Sequence, residues 1–192
     1  MTHRRTFILS AVAAVAACPV TAAERFKALF NRKNLEGWTP LGDANWTVKD
    51  GVVSADKGAM SFLVSKDSYR DFDLRAELWV SPDANSGIFI RCTDRKQVTA
   101  ANAYEVNVFD TRPDPTYGTG AIVNVAKVSP MPKAGGHWNV MEIRARGDAF
   151  WVKFDGATTV DGARDGKNAE GAIALQYGAG VVKFRKVEIR RA

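Results

Sequence analysis

The sequence predicts an all-β sandwich or barrel, and three observations carry that expectation. Short apolar runs alternate with polar residues at a period of two, which sends successive side chains to opposite faces of a strand. Asp-Gly and Gly-Asp pairs separate many of the runs, and these are turn residues. No window of about eleven residues or more repeats its apolar positions every 3.6 residues, so no long amphipathic helix is expected. A chain of 192 residues can build one domain with a real core. Its hydrophobic content of 46% and charged content of 25% are ordinary globular values.

Trp46-Thr47-Val48 and Val52-Val53-Ser54 flank Lys49-Asp50-Gly51, the pattern of a tight hairpin. Phe62-Leu63-Val64 follows. Phe72, Leu74, Ala76, Leu78 and Val80 then alternate with Asp73, Arg75, Glu77 and Trp79. Beyond the turn at Pro82-Asp83-Ala84-Asn85 come two further strands, 86–91 and 104–110. In the first, Ile88 and Ile90 are expected on one face, Phe89 and Arg91 on the other. In the second, Tyr104, Val106 and Val108 oppose Glu105, Asn107 and Phe109. Residues 111–136 read as a long loop, strand-like only at Ala121 to Val125, and long loops in compact domains often carry function. Strands resume with Trp138 to Arg146 and Phe150 to Phe154, joined by Gly147-Asp148. Ala172 to Tyr177 and Val181 to Arg190 close the series.

Residues 1–23 read as an export signal, leaving 24–192 as a single domain. Arg4-Arg5 precede an apolar stretch from Phe7 to Ala17, and small residues at Val20-Thr21-Ala22-Ala23 offer cleavage sites. Arg4-Arg5-Thr6-Phe7-Ile8 is similar to a twin-arginine signal. Val15-Ala16-Ala17-Cys18 offers the rival reading of a lipid-anchored cysteine, with Pro19 and the Ala22/Ala23 site favouring free release to the periplasm or the medium. No transmembrane helix is expected. Cleavage leaves only Cys92 and His137 of the two cysteines and two histidines, so a disulfide within the domain or a Cys/His metal site is hard to build. Cys92 shares the parity of Ile88 and Ile90 and is expected to be a small buried residue. The net charge of +6 is scattered singly, without the stripe that nucleic acid requires.

An ordered set of motifs narrows the fold. Leu29-Phe30-Asn31, Leu35-Glu36-Gly37-Trp38, Trp46-Thr47-Val48, Phe72-Asp73-Leu74-Arg75, Asn85-Ser86-Gly87-Ile88-Phe89-Ile90-Arg91, Tyr104-Glu105-Val106, Thr119-Gly120-Ala121-Ile122, His137-Trp138-Asn139 and Phe184-Arg185-Lys186-Val187 together resemble the bacterial 3-keto-disaccharide hydrolase family. The resemblance spans residues 26–190. It implies a concanavalin A-like jelly roll of two antiparallel sheets with a sugar-facing concave side, export, and work on oxidised glycosides. The chain departs from the family pattern at His137, where a glutamate is common, and at Tyr177-Gly178, where Asp-His is common after the Leu-Gln pair.

A 3-keto sugar has an acidified C2–H, because the enolate is stabilised by the adjacent carbonyl. Cleavage through that carbon needs a base, a group at the keto oxygen and help for the leaving oxygen. The residues expected to supply them are Glu105 as base, Arg91 as carbonyl clamp and Asp110 as second carboxylate, with His137 a candidate acid. Asn85, Asn107 and Gln176 are candidate hydroxyl partners, and Trp79 or Phe89 a stacking surface. No cofactor is expected. A divalent cation on Glu105 and Asp110 could replace Arg91, but the ligand set is thin. Each assignment has a structural counterpart: Arg91–Glu105 as an ordinary cross-strand pair contributing about 0.2–1 kcal/mol, and Trp38, Trp46 and Trp138 as packing residues. Two further functions stay open, a non-catalytic carbohydrate-binding module and a structural protein of the cell envelope.

Overall fold

The computed structural model describes residues 25–192, and the proposed export signal lies outside them. Thirteen strands follow one another: β1 (Lys27–Ala28), β2 (Trp38–Leu41), β3 (Thr47–Lys49), β4 (Val52–Ala55), β5 (Ser61–Ser65), β6 (Phe72–Val80), β7 (Asn85–Cys92), β8 (Tyr104–Val108), β9 (Trp138–Arg146), β10 (Ala149–Phe154), β11 (Ala157–Arg164), β12 (Ala172–Ala179) and β13 (Val182–Arg191). Among the described residues there is no α-helix, only a short 3-10 turn at Pro115–Tyr117.

The strands form two antiparallel sheets. The larger has the order β11-β10-β9-β6-β13-β4-β3, with β1 also on β13, and the smaller β2-β5-β12-β7-β8. The sheets pack face to face as a jelly-roll sandwich, the architecture that lets two half-apolar sheets bury their apolar sides together. Alternation decides what goes inside. Phe72, Leu74, Ala76, Leu78 and Val80 of β6 are buried, as are Met141, Ile143 and Ala145 of β9, and both sets join one core with Ile88, Val106 and Leu175 of the smaller sheet. Each large apolar side chain removed from water in this way contributes about 1.5–3 kcal/mol.

The hairpin between β3 and β4 follows the expected turn chemistry. Asp50 and Gly51 have φ of 52° and 75°, the left-handed pair that a two-residue hairpin needs and that Asp-Gly tolerates. Asp155 and Gly156 repeat the device between β10 and β11 with φ of 47° and 80°.

β7 departs from simple alternation at its end. The pairing with β12 shifts register between Phe89 and Cys92, and Arg91 has a φ of 52°. This is a β-bulge, which inserts one residue and reverses the faces beyond it. Arg91 therefore turns into the interior and Cys92 turns out. Cys92 is buried as expected but against Phe62, Val64, Phe89 and Ala174 on the outer side, where burial raises its thiol pKa.

Candidate active site

The outer face of the smaller sheet carries the polar group of interest. In register across β12, β7 and β8 stand Gln176, Gly87 and Asn107, and in the next row Ala174, Phe89 and Glu105. Phe62 on β5 flanks Gln176 on its other side. Gly87 leaves a gap in the middle of this group. A Cβ there would lie 3.0 Å from Val106 O, 3.2 Å from Gln176 Oε1 and 3.5 Å from Glu105 Cγ. The amide of Gln176 and the side chain of Glu105 thus lean into one space over Gly87, which a larger residue would fill.

Both amides there have an oxygen without a protein partner. Asn107 donates through Nδ2 to Tyr117 O at 2.7 Å, which fixes its orientation, and its Oδ1 is buried and unpaired. Gln176 Oε1 is likewise buried and unpaired. Buried polar oxygens are normally satisfied, and an unpaired one is unfavourable by about 1–3 kcal/mol. A ligand that brings hydroxyl donors removes that penalty.

Glu105 stands in the next row on β8, half-buried beside the gap over Gly87. Burial pushes its carboxyl up to about 6, against a smaller downward pull from the Arg112 charge. Phe89 forms part of the apolar surround. It is 3% exposed and packs edge-on against Phe62 at 5.3 Å, with Val98 and Ala103 of the 93–103 connection in the same cluster. Phe89 is therefore a wall rather than an open stacking surface.

Several expected participants are occupied elsewhere. Arg91 does not share the Glu105 face, because the bulge turns it inward. It is 0% exposed, donates to Arg70 O at 2.6 and 2.9 Å, Gly147 O at 2.7 Å and Asn168 O at 3.3 Å, pairs with Asp71 at 3.2 Å, and lies over the Phe150 ring. Its role is to tie three loop carbonyls to the core. Asp110 is engaged by the long loop: it accepts from Thr119 Oγ1 at 2.6 Å and from the amides of Ala134 and Gly135. Trp79 sits on the outer face of the larger sheet, opposite Trp138 and under Lys183. His137 is exposed, next to β9 in that sheet, with Nδ1 3.2 Å from Gly135 O. Asn85 keeps the parity of Gly87, but a Cβ on Gly178 would meet its amide at 2.9 Å, so it packs tightly against β12. No group of three or more His, Cys, Asp or Glu side chains converges among the described residues.

Arg112 is the residue that sequence reasoning missed. It lies in the long loop two positions beyond Asp110 and is the cation whose field reaches Glu105. The loop length pointed to this segment, but no spacing singled out the arginine. The loop is held against β8 by Asn107 N to Ala121 O and Gly120 N to Asn107 O, at 3.0 and 2.9 Å, and by Val123 N to Glu105 O.

A family model described as the 3-keto-alpha-glucoside-1,2-lyase-like domain matches residues 25–190. The chain belongs to this family. Its lyase-like domain is also similar in fold to solved structures. A candidate glycosyl hydrolase from Parabacteroides distasonis superposes with a TM-score of 0.71 at 24% identity, covering 88% of this chain and 100% of that one. A second from the same organism gives 0.75 at 17% identity, covering 87% and 94%. A carbohydrate binding module from Bacillus subtilis gives 0.65 at 21% identity, covering 80% and 95%. No curated protein matches the sequence.

Proposed function

We propose that this lyase-like domain cleaves 3-keto-glycosides on the outer face of the smaller sheet, with Glu105 as the base. The observation that carries the reading is the juxtaposition over Gly87 of a half-buried carboxyl, held at about 6, with the unpaired oxygen of Gln176, and beside them in register the unpaired oxygen of Asn107. A carboxylate with that pKa is ionised at neutral pH yet basic enough to take a carbon-bound proton made acidic by a ketone. Unpaired acceptors suit a polyol. The family membership supports a ketone-bearing sugar, and the neighbours named for glycosyl hydrolysis and carbohydrate binding support a saccharide.

In this reading Glu105 takes the C2 proton and the electron pair of the C–H bond moves into the C2–C3 bond as the ketone becomes an enolate. Arg112, on the loop above, replaces Arg91 as the positive group facing that oxygen. Collapse of the enolate forms the C1–C2 double bond and expels the C1 substituent. With Asp110 engaged by its loop, Glu105 returns its proton to the departing oxygen. Water then adds across the enone, hydroxide to C1 and a proton to C2, completing net hydrolysis. Asn107 and Gln176 hold ring hydroxyls. We place the mature protein in the periplasm or outside the cell, after removal of residues 1–23.

A second reading, sugar binding without turnover, is favoured by one feature of β12. Beyond Gln176, Tyr177 points into the core against Trp46 and Gly178 has no side chain, so the strand adds no second proton carrier. Incubating the protein with a 3-keto-glucoside separates the readings. Transient enone absorbance and release of the aglycone support cleavage. Saturable binding with no product at high protein concentration supports the second reading and overturns the first.

A further inference from the structure

The outer face of the larger sheet, across the sandwich from Glu105, bears a groove of ≈ 260 Å³. One row of residues runs across four adjacent strands beneath it. Arg190 of β13 is opposite Asp73 of β6, Asp73 is opposite Arg144 of β9, and Arg144 is opposite Trp151 of β10. Phe26 forms a side of the groove, with the Arg190 guanidinium 4.9 Å from its ring centroid.

Three guanidiniums converge on the single carboxylate of Asp73. Arg144 Nε reaches Oδ1 at 2.8 Å, while Arg146 Nη2 and Arg190 Nη2 reach Oδ2 at 2.9 and 2.6 Å. Burial alone would raise the Asp73 pKa, but the hydrogen bonds from Arg144, Arg190 and Arg146 hold it at about 2, so the carboxylate is charged throughout the working range. Glu142 and Lys153, opposite each other on β9 and β10, also line the groove, so two carboxylates stand against four cations, Arg144, Arg146, Arg190 and Lys153, and the surplus has open donors. Arg146 directs Nη1 to Phe72 O and Ala145 O. Arg144 uses only Nε, so Nη1 and Nη2 make no hydrogen bond to the described residues, and its side chain is 56% exposed.

We infer that this groove is a second, non-catalytic saccharide site, selective for an acidic sugar that carries a carboxylate. Asp73 fixes the Arg144 plane by its Nε bond and leaves the Nη1/Nη2 edge directed at a ligand, the fork geometry that matches a carboxylate with two parallel hydrogen bonds. Beside it on the same row, Trp151 offers an aromatic surface for the C–H face of a pyranose. A Cβ on Gly162 of β11, at φ 69°, would lie 3.5 Å from Trp151 Nε1, so the indole lies beside β11 at a residue without a side chain. An anion alone would need no ring beside the arginine, and a neutral sugar would leave the excess charge unused. The combination selects a uronate-type residue.

The test is calorimetric titration of the mature protein with a glucuronate-containing oligosaccharide, its neutral glucose counterpart and inorganic phosphate. The expected result is saturable binding of the acidic oligosaccharide, weakened by added salt and at least tenfold tighter than the other two. Arg144→Gln and, independently, Trp151→Ala each weaken it at least tenfold while thermal melts show the fold retained. Glu105→Gln leaves it unchanged, which separates this site from the one on the smaller sheet. Equal affinity for the neutral sugar, phosphate binding as tight as that of the uronate, or full affinity in both variants would overturn the proposal.

Discussion

Replacing Glu105 by glutamine should make the protein more stable at neutral pH, because the native carboxylate is held where its charge is unfavourable. Burial raises its pKa from 4.5 to about 6 in the folded state. For a group whose folded pKa is raised, the associated stability is fully present below the unfolded value and is lost as pH rises through the folded one. A shift of about one and a half units corresponds to roughly 2 kcal/mol at 1.36 kcal/mol per unit. Below about pH 4.5 Glu105 is protonated in both states, and glutamine is its near-isostere. Wild type and Glu105→Gln should then have similar stability. Above about pH 6.5 the wild type folds with an ionised, desolvated carboxylate and the variant does not. The variant should melt higher by roughly 4–8 °C for a chain of this size. Melting curves of both proteins from pH 4 to 8 measure the difference directly. A gap that stays constant across that range, or a wild type that is the more stable at pH 7.5, would refute the assignment of a half-buried carboxyl whose pKa desolvation raises. A stabilising substitution that also removes activity is the signature expected where function is kept at the expense of stability.

Other substitutions test the neighbouring structure. Gly87→Ala places a methyl group 3.2 Å from Gln176 Oε1 and 3.0 Å from Val106 O; sugar affinity should fall at least tenfold while urea denaturation shows a loss of only about 1 kcal/mol. Arg91→Ala leaves the carbonyls of Arg70, Gly147 and Asn168 without their buried donor, and urea denaturation should show a loss of about 3 kcal/mol or more, with residual activity tracking the folded fraction. Asp73 lies at about 2 instead of 3.8, so its stabilisation is present above about pH 4 and is lost as pH falls through about 2. Asp73→Asn should lower stability at pH 7 by roughly 2 kcal/mol and flatten the acid limb of the denaturation curve.

Strand placement was legible wherever one face is dry. β6 and β9 alternate because one side packs on the core, and the Asp50-Gly51 turn announces itself through the left-handed angles it requires. β2 and β11 gave no such signal. β2 contains Pro40 and sits at a sheet edge, where proline is tolerated. β11, Ala157–Arg164, is the other sheet's edge strand and buries only Val160, so it lacks an apolar face to read. Within the site, alternation correctly grouped Phe89, Glu105 and Asn107 on one face. It failed at Arg91, since a bulge with a positive φ at a non-glycine residue depends on the pairing with β12 and on carbonyls contributed from distant loops. Asp110 could be recognised as a carboxylate near the strand end, but its capture by the amides at 134 and 135 is a loop-closure event invisible in sequence. Arg112 escaped for the same reason.

The pH dependence of 3-keto-glucoside cleavage tests the central assignment most directly. A base must be ionised to act, so kcat/KM of the wild type should rise with pH through an apparent pKa of about 6 and then level. Glu105→Gln, folded by the same melting criterion, should lose at least a hundredfold and show no such limb. An undiminished rate in the variant, or a wild-type profile flat from pH 4.5 to 7.5, would contradict Glu105 as the base.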